Sequence, residues 1–172
     1  MSQSEPVISI AVRRVAVLGG AYGNVAALRA CLDDAERAGC GAVLFAGDAL
    51  GFCGHAAETL ALISARCAAI IAGNHEQAVA AGEAACRCGF ADPVSERRSC
   101  AAAARQGEGL DAAARAELAA LPERLVVSAP GGSRLLLCHG SPDRINEFVY
   151  AQTIAADPER ARAWLSAHRR TR

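Results

Sequence analysis

Ala68-Ala69-Ile70-Ile71-Ala72-Gly73-Asn74-His75-Glu76 is a short apolar run closed by a glycine and followed at once by three polar side chains. A run of this length with a glycine boundary reads as a buried strand. Asn offers a carbonyl oxygen and His an imidazole that titrates near neutrality, and both suit metal or phosphate chemistry at a sheet edge. The pattern recurs on either side. Upstream, Phe45-Ala46-Gly47-Asp48 closes a second apolar run, and downstream Leu137-Cys138-His139-Gly140-Ser141-Pro142 closes a third. In open α/β sheets ligands gather beyond the carboxyl ends of strands, so Asp48, Asn74 and His139 are expected to converge on one cleft.

The intervening sequence supports that frame. Val15 to Leu18 is a short strand ended by Gly19 and Gly20, and Asn24 is placed to cap a helix with Ala27, Leu28, Cys31, Leu32 and Ala35 on its apolar face. Ala42 to Ala46 is the second strand, Ala56 to Ala65 a second helix, and the third strand runs through Ile71. Strand and helix alternate, which predicts a parallel sheet covered by helices. Helical stretches follow near Pro93 to Gln106 and Asp111 to Leu121, where Pro122 stops the last. Arg124 to Ser128 and Ser133 to Cys138 flank Ala129-Pro130-Gly131-Gly132, a hairpin signal. An amphipathic helix is expected over Asp157 to His168, and Arg169 to Arg172 is a basic end.

With 172 residues the chain is expected to form a single domain, residues 1–172, with a motif-bearing core of about 14–150. Lys plus Arg number 18 and Asp plus Glu number 18, so charge indicates neither a nucleic-acid nor an acidic-membrane partner. No run approaches the roughly 20 apolar residues that span a bilayer, and the polar start resembles no signal peptide. The chain is expected to be soluble and cytoplasmic. Its 8 cysteines are then read as small thiols in a reducing compartment rather than a disulfide framework.

The ordered set Gly47-Asp48, Gly73-Asn74-His75-Glu76 and His139-Gly140-Ser141-Pro142 resembles the calcineurin-like metallophosphoesterases, and more narrowly their small bacterial and archaeal phosphodiesterase-type branch. Gly47-Asp48-Ala49-Leu50-Gly51-Phe52 and the later Asn146-Glu147-Phe148 look like that branch too. The resemblance implies an α/β fold of α/β/β/α sandwich layers, here incomplete at its C-terminus, and a two-metal hydrolase. It implies that Asp48 bridges the metals, that Asn74 and His139 bind the second metal, and that His75 contacts phosphate and protonates the leaving group. Hard oxygen donors mixed with imidazole suit Mn, Fe, Zn or Co.

Two parts of the family pattern are missing. Where the family carries Asp-x-His at the end of strand one, this chain has Gly20-Ala21-Tyr22. Gly has no ligating side chain, and a neutral Tyr is a poor ligand near pH 7. The terminal Gly-His-x-His is absent. At most one ion is therefore expected, on Asp48, Asn74 and His139, and the activity is expected to be impaired or mononuclear hydrolysis of a small phosphomonoester or phosphodiester. The alternative is a non-catalytic pseudoenzyme that keeps the fold as a binding or interaction module. Self-association through an exposed sheet edge is a further expectation.

Other readings of the same residues stay open on the sequence. Gly47-Asp48 is a common turn pair, Asn74-His75-Glu76 a plausible polar helix start, and His139 before Gly-Ser-Pro a plausible turn histidine. Gly19-Gly20-x-x-Gly23 could cradle a nucleotide phosphate ahead of the Asn24 helix. Cys86-Arg87-Cys88 with Cys100 could form a metal or redox site, and Cys53 with His55 could join Cys138 and His139 as ligands. His168 reads as a solvated helix residue.

Overall fold

The computed structural model describes residues 5–83, 88–90 and 92–167. Cys86, Arg87 and His168, each singled out above, lie outside those residues.

In chain order the elements are β1 (Val7–Ser9), β2 (Val15–Leu18), α1 (Val25–Arg37), β3 (Ala42–Phe45), α2 (Ala56–Arg66), β4 (Ala69–Ile70), α3 (Asn74–Ala81), α4 (Pro93–Glu108), α5 (Ala112–Ala119), β5 (Arg124–Ser128), β6 (Arg134–Cys138), α6 (Ala151–Ala156) and α7 (Pro158–Ala167). Strands β2, β3 and β4 form a parallel sheet, with Val15 opposite Ala42 and Leu44 opposite Ala69. The second sheet is mixed and has the order β1-β5-β6. Val7 lies beside Val126 in parallel pairing, while β5 and β6 form the expected antiparallel hairpin, with Leu125 opposite Leu137. The sequence reading did not assign β1 or α6, and it carried the third strand one residue past β4.

Two apolar layers hold these sheets in place. Leu28, Leu32 and Ala35 of α1 and Ile63 of α2 pack with Val43 and Phe45 on the outer side of the parallel sheet. Leu44 and Ile71 face Leu125, Val127 and Leu137 between the sheets. The alternation along β3 follows from the period of two in an extended chain, which sends Val43 and Phe45 one way and Leu44 the other. Complete burial of a side chain such as Leu32 or Leu44 stabilises by about 1.5–3 kcal/mol. On the far side, α6 and α7 stand across a groove of about 780 Å³ from β5 and β6, which completes an α/β/β/α arrangement.

Local signals set the helix starts. Asn24 caps α1 by accepting from the Ala27 amide at 3.0 Å, and Asp111 caps α5 by accepting from Ala114 at 2.8 Å. Helix α3 begins at Asn74 and buries His75, Glu76, Ala78 and Val79. The start of that helix, the β3 loop and the end of β6 therefore meet at one rim. Among the described residues no helix is long and apolar enough to cross a membrane.

Candidate functional site

Close approach of the β3 and β4 loops creates the site. Gly73 lies so near Asp48 that a Cβ there would stand 2.2 Å from Asp48 Oδ1, so only glycine fits. Asp48 itself is 4% exposed and holds a left-handed backbone, φ 59, which is uncommon for any residue but glycine. What fixes this pair of loops is Glu76. Its carboxylate is fully buried and accepts from the backbone amides of Asp48 at 2.7 Å, Leu50 at 3.0 Å and Gly73 at 2.8 Å. The sequence reading saw only a charge beside a helix N-terminus. Burial and then the charge of Asp48 push the Glu76 carboxyl above its ordinary range, against the pull of the three amides.

Three candidate ligands meet here. His139 Nδ1 bonds the Ala46 carbonyl at 2.7 Å, so that nitrogen carries the proton when the ring is neutral, and Nε2 presents its lone pair. Nε2 stands 3.2 Å from Asn74 Oδ1 and 3.4 Å from Asp48 Oδ2. The Asn74 amide nitrogen reaches Cys88 Sγ at 3.5 Å, which leaves its oxygen for this cluster. Three acceptors thus face one another, an arrangement completed by a proton on His139 or by a cation. Burial alone would lower the His139 pKa, but the hydrogen bond and charge of Asp48 and the Ala46 carbonyl reverse it, and the net direction is upward. Burial likewise raises the Asp48 carboxyl, and His139 and His75 overcome it, so that Asp48 lies below its ordinary value.

The donor chemistry fits one divalent ion. Among the described residues no three His, Cys, Asp or Glu side chains gather as a metal set, and the third donor of this trio is an amide oxygen. A fixed Nδ1 with Nε2 aimed at the cluster is the outer support that ligating histidines normally have. The positions of a second donor set are filled otherwise. Gly20 provides nothing, and the Tyr22 ring fills its place: a Cβ on Gly20 would meet Tyr22 Cε2 at 3.0 Å. The Tyr22 hydroxyl faces Asp48. Burial, followed by that carboxylate, pushes the phenol up to about 12, so it stays protonated.

His75 lines the same cavity but is 1% exposed, with the rings of Tyr22 and Phe52 edge-on to it at 5.5 and 5.6 Å. Its Nε2 lies 3.2 Å from Cys88 Sγ, and its buried Nδ1 has no hydrogen-bond partner. Burial lowers its pKa, and Asp48 only partly offsets this, so the ring is held neutral. A buried polar atom without a partner is rare and is most often completed by a ligand or water. Around it the cavity measures about 370 Å³ and is walled by Phe52, Phe90, Asn146 and Phe148.

Two alternative readings lose their footing, and of the third only Cys88 and Cys100 lie among the described residues. The glycine-loop amides are already satisfied: Gly20 donates to the Gly47 carbonyl at 3.0 Å, Tyr22 to Asp48 at 3.0 Å and Gly23 to Ala49 at 2.7 Å. They are not free to cradle a phosphate. Cys53 is exposed, and His55 turns to solvent beside Glu58 at 3.8 Å; neither lines the cavity among the described residues. Cys100 packs on Cys88, and its thiol lies 3.8 Å from Glu96 Oε1. Cys88 itself is disulfide-bonded, which corrects the reading of every cysteine as a thiol.

No family model and no curated protein matches the chain. Solved structures do. A metallophosphoesterase from Sphaerobacter thermophilus matches with TM-score 0.60 and 26% identity over 83% of this chain and 53% of its own. A hypothetical protein from Pyrococcus horikoshii matches with TM-score 0.63, 20% identity and coverages of 87% and 66%. A candidate diadenosine tetraphosphatase matches with TM-score 0.55, 17% identity and coverages of 82% and 58%. The chain thus spans about half the length of the Sphaerobacter protein it resembles.

Proposed function

We propose, on the premise that the chain has the calcineurin-like metallophosphoesterase fold, that it binds a phosphate ester at a single divalent ion and hydrolyses it. The observation that carries this reading is the convergence of Asp48, Asn74 and His139 on one cavity, with His139 Nε2 3.2 Å from Asn74 Oδ1 and 3.4 Å from Asp48 Oδ2. A divalent ion held there supplies an activated water and polarises the phosphoryl oxygens. Mn, Fe, Zn and Co all suit this donor set.

Each residue has a part that follows from its surroundings. Asp48 brings a negative charge, held ionised by His139 beside it. Asn74 adds a neutral oxygen whose direction is set by Cys88 on its other atom. His139 is oriented by the Ala46 carbonyl. His75 is the proton donor to the leaving oxygen. It is neutral while the cavity is empty of anions, and an anionic ester beside it raises its proton affinity, as an opposite charge does.

Metal content of the purified protein, measured with turnover of bis-p-nitrophenyl phosphate in added Mn, tests the reading. A single bound ion with turnover above blank is expected. Metal-free protein without turnover refutes it. His75→Ala is expected to lower turnover and keep the ion; loss of both together overturns its role.

A second reading has its own support. Tyr22 fills the place of the missing ligands, and His75 is buried beneath aromatic rings, so the fold could serve as a binding module without catalysis. Ester binding in Mn without any turnover favours that reading.

A further inference from the structure

The floor of the cavity is polar, but its walls are not. The chain has 4 phenylalanines, and one of them, Phe45, is a core residue at 1% exposure. The other three, Phe52, Phe90 and Phe148, all line the cavity beside Asp48, Asn74 and His139 and are 46%, 44% and 56% exposed. Large apolar rings left in water at one cavity mouth mark a binding surface more often than a packing fault. Two of them are supported from behind. Phe52 lies 5.0 Å from the Tyr22 ring, and Phe148 stacks on Tyr150 at 5.9 Å with the planes 2° apart. Preorganised rings lose little freedom when a ligand arrives.

Charge narrows the ligand further. Among the described residues no Lys or Arg lines the cavity, and its one rim carboxylate, Glu147, is engaged by Arg160 at 2.8 Å. Among the described residues nothing at the mouth would attract a long polyanion. A volume of about 370 Å³ falls within the range of small-molecule sites. The geometry points to a phosphate ester whose organic half is a flat aromatic group, lying against Phe52, Phe90 and Phe148 while its phosphoryl group faces Asn74 and His139. This rests on the phosphate-ester reading above and specifies its substrate class. A nucleobase and a simple aryl ring share that chemistry.

Calorimetric titration of the full chain in added Mn with inorganic phosphate, methyl phosphate, phenyl phosphate and adenosine monophosphate tests it. The aromatic esters are expected to bind roughly tenfold more tightly than methyl phosphate, the scale of one ring stacked on an aromatic side chain. Phenyl phosphate matching adenosine monophosphate identifies a simple aryl pocket, and a clear excess for the nucleotide identifies the base. Phe148→Ala and, as a milder change, Phe90→Leu are expected to erase most of that preference. Both side chains are exposed, so neither change opens the core. Failure of phosphate and every ester to bind overturns the phosphate-ester reading itself. Phosphate binding with equal affinity for methyl and phenyl esters overturns the aromatic specificity alone, as does an unchanged preference in both variants.

Discussion

Replacing Glu76 with Gln removes a buried charge that three backbone amides share. In the parent, Oε2 accepts from Asp48 and Gly73 and Oε1 accepts from Leu50. A glutamine has one oxygen, so at best it serves the two amides of Asp48 and Gly73 and turns its NH₂ toward Leu50. Hydrogen bonds to a charged group contribute about 1.5–3 kcal/mol each and neutral ones about 1, and an unpaired buried donor costs a further 1–3. The gross loss is roughly 3.5–10 kcal/mol. Burial and the Asp48 charge oppose the carboxylate, so neutralising it returns part of this, and a net loss of about 2–4 kcal/mol is expected. At about 2–4 °C per kcal/mol for a chain of this size, the melting temperature falls by roughly 5–15 °C. Urea unfolding at neutral pH measures the free energy and a thermal melt the shift. The pH dependence gives a second reading. The folded pKa of Glu76 lies above its ordinary value, so a proton-linked part of the stability, separate from the three amide bonds, is fully present below the ordinary carboxyl range and is lost as pH rises through the folded pKa. The variant lacks that decline. Stability within about 0.5 kcal/mol of the parent refutes the reasoning, because changes without a buried partner fall in that range.

Three further outcomes follow from the same geometry. Gly73→Ala places a Cβ 2.2 Å from Asp48 Oδ1 and is expected to cost about 3 kcal/mol or more, read by urea unfolding; a near-neutral result contradicts the close approach. His139→Ala is expected to abolish Mn binding measured by electron paramagnetic resonance, at a stability cost of about 1–3 kcal/mol for the stranded Ala46 carbonyl. Gly20→Asp combined with Tyr22→His removes the ring that crowds position 20 and is expected to raise the bound-metal stoichiometry; no rise shows that the first-metal scaffold is gone.

The local half of this structure was legible. Asn24 and Asp111 are helix caps because their side chains accept amides three residues on, and such signals need no knowledge of the fold. The hairpin was marked by Pro130 and the two glycines after it. Strand β1 escaped because it is three residues long and its partner, Val126, is far along the chain. The convergence of Asp48, Asn74 and His139 on one cavity was legible because each follows a strand, and strand ends of one sandwich face the same way. The role of Glu76 escaped for the opposite reason. Two of its three donors come from a loop 26 and 28 residues earlier, and no spacing rule reports them. Tyr22 was recognised only as a departure; its contacts with Phe52 and His75 are tertiary.

Among the described residues β6 pairs with β5 alone, so the strand that delivers His139 is held by hydrogen bonds on one side. Border strands of this kind open first when a fold breathes. Any cation or ester that engages His139 therefore also pins that border, and binding stabilises the closed form by mass action. The consequence is a mechanical coupling: occupancy of the cavity should be readable in the amide exchange of Arg134 to Cys138, along the whole strand that ends at His139. The hairpin would then be a reporter of whatever the cavity holds.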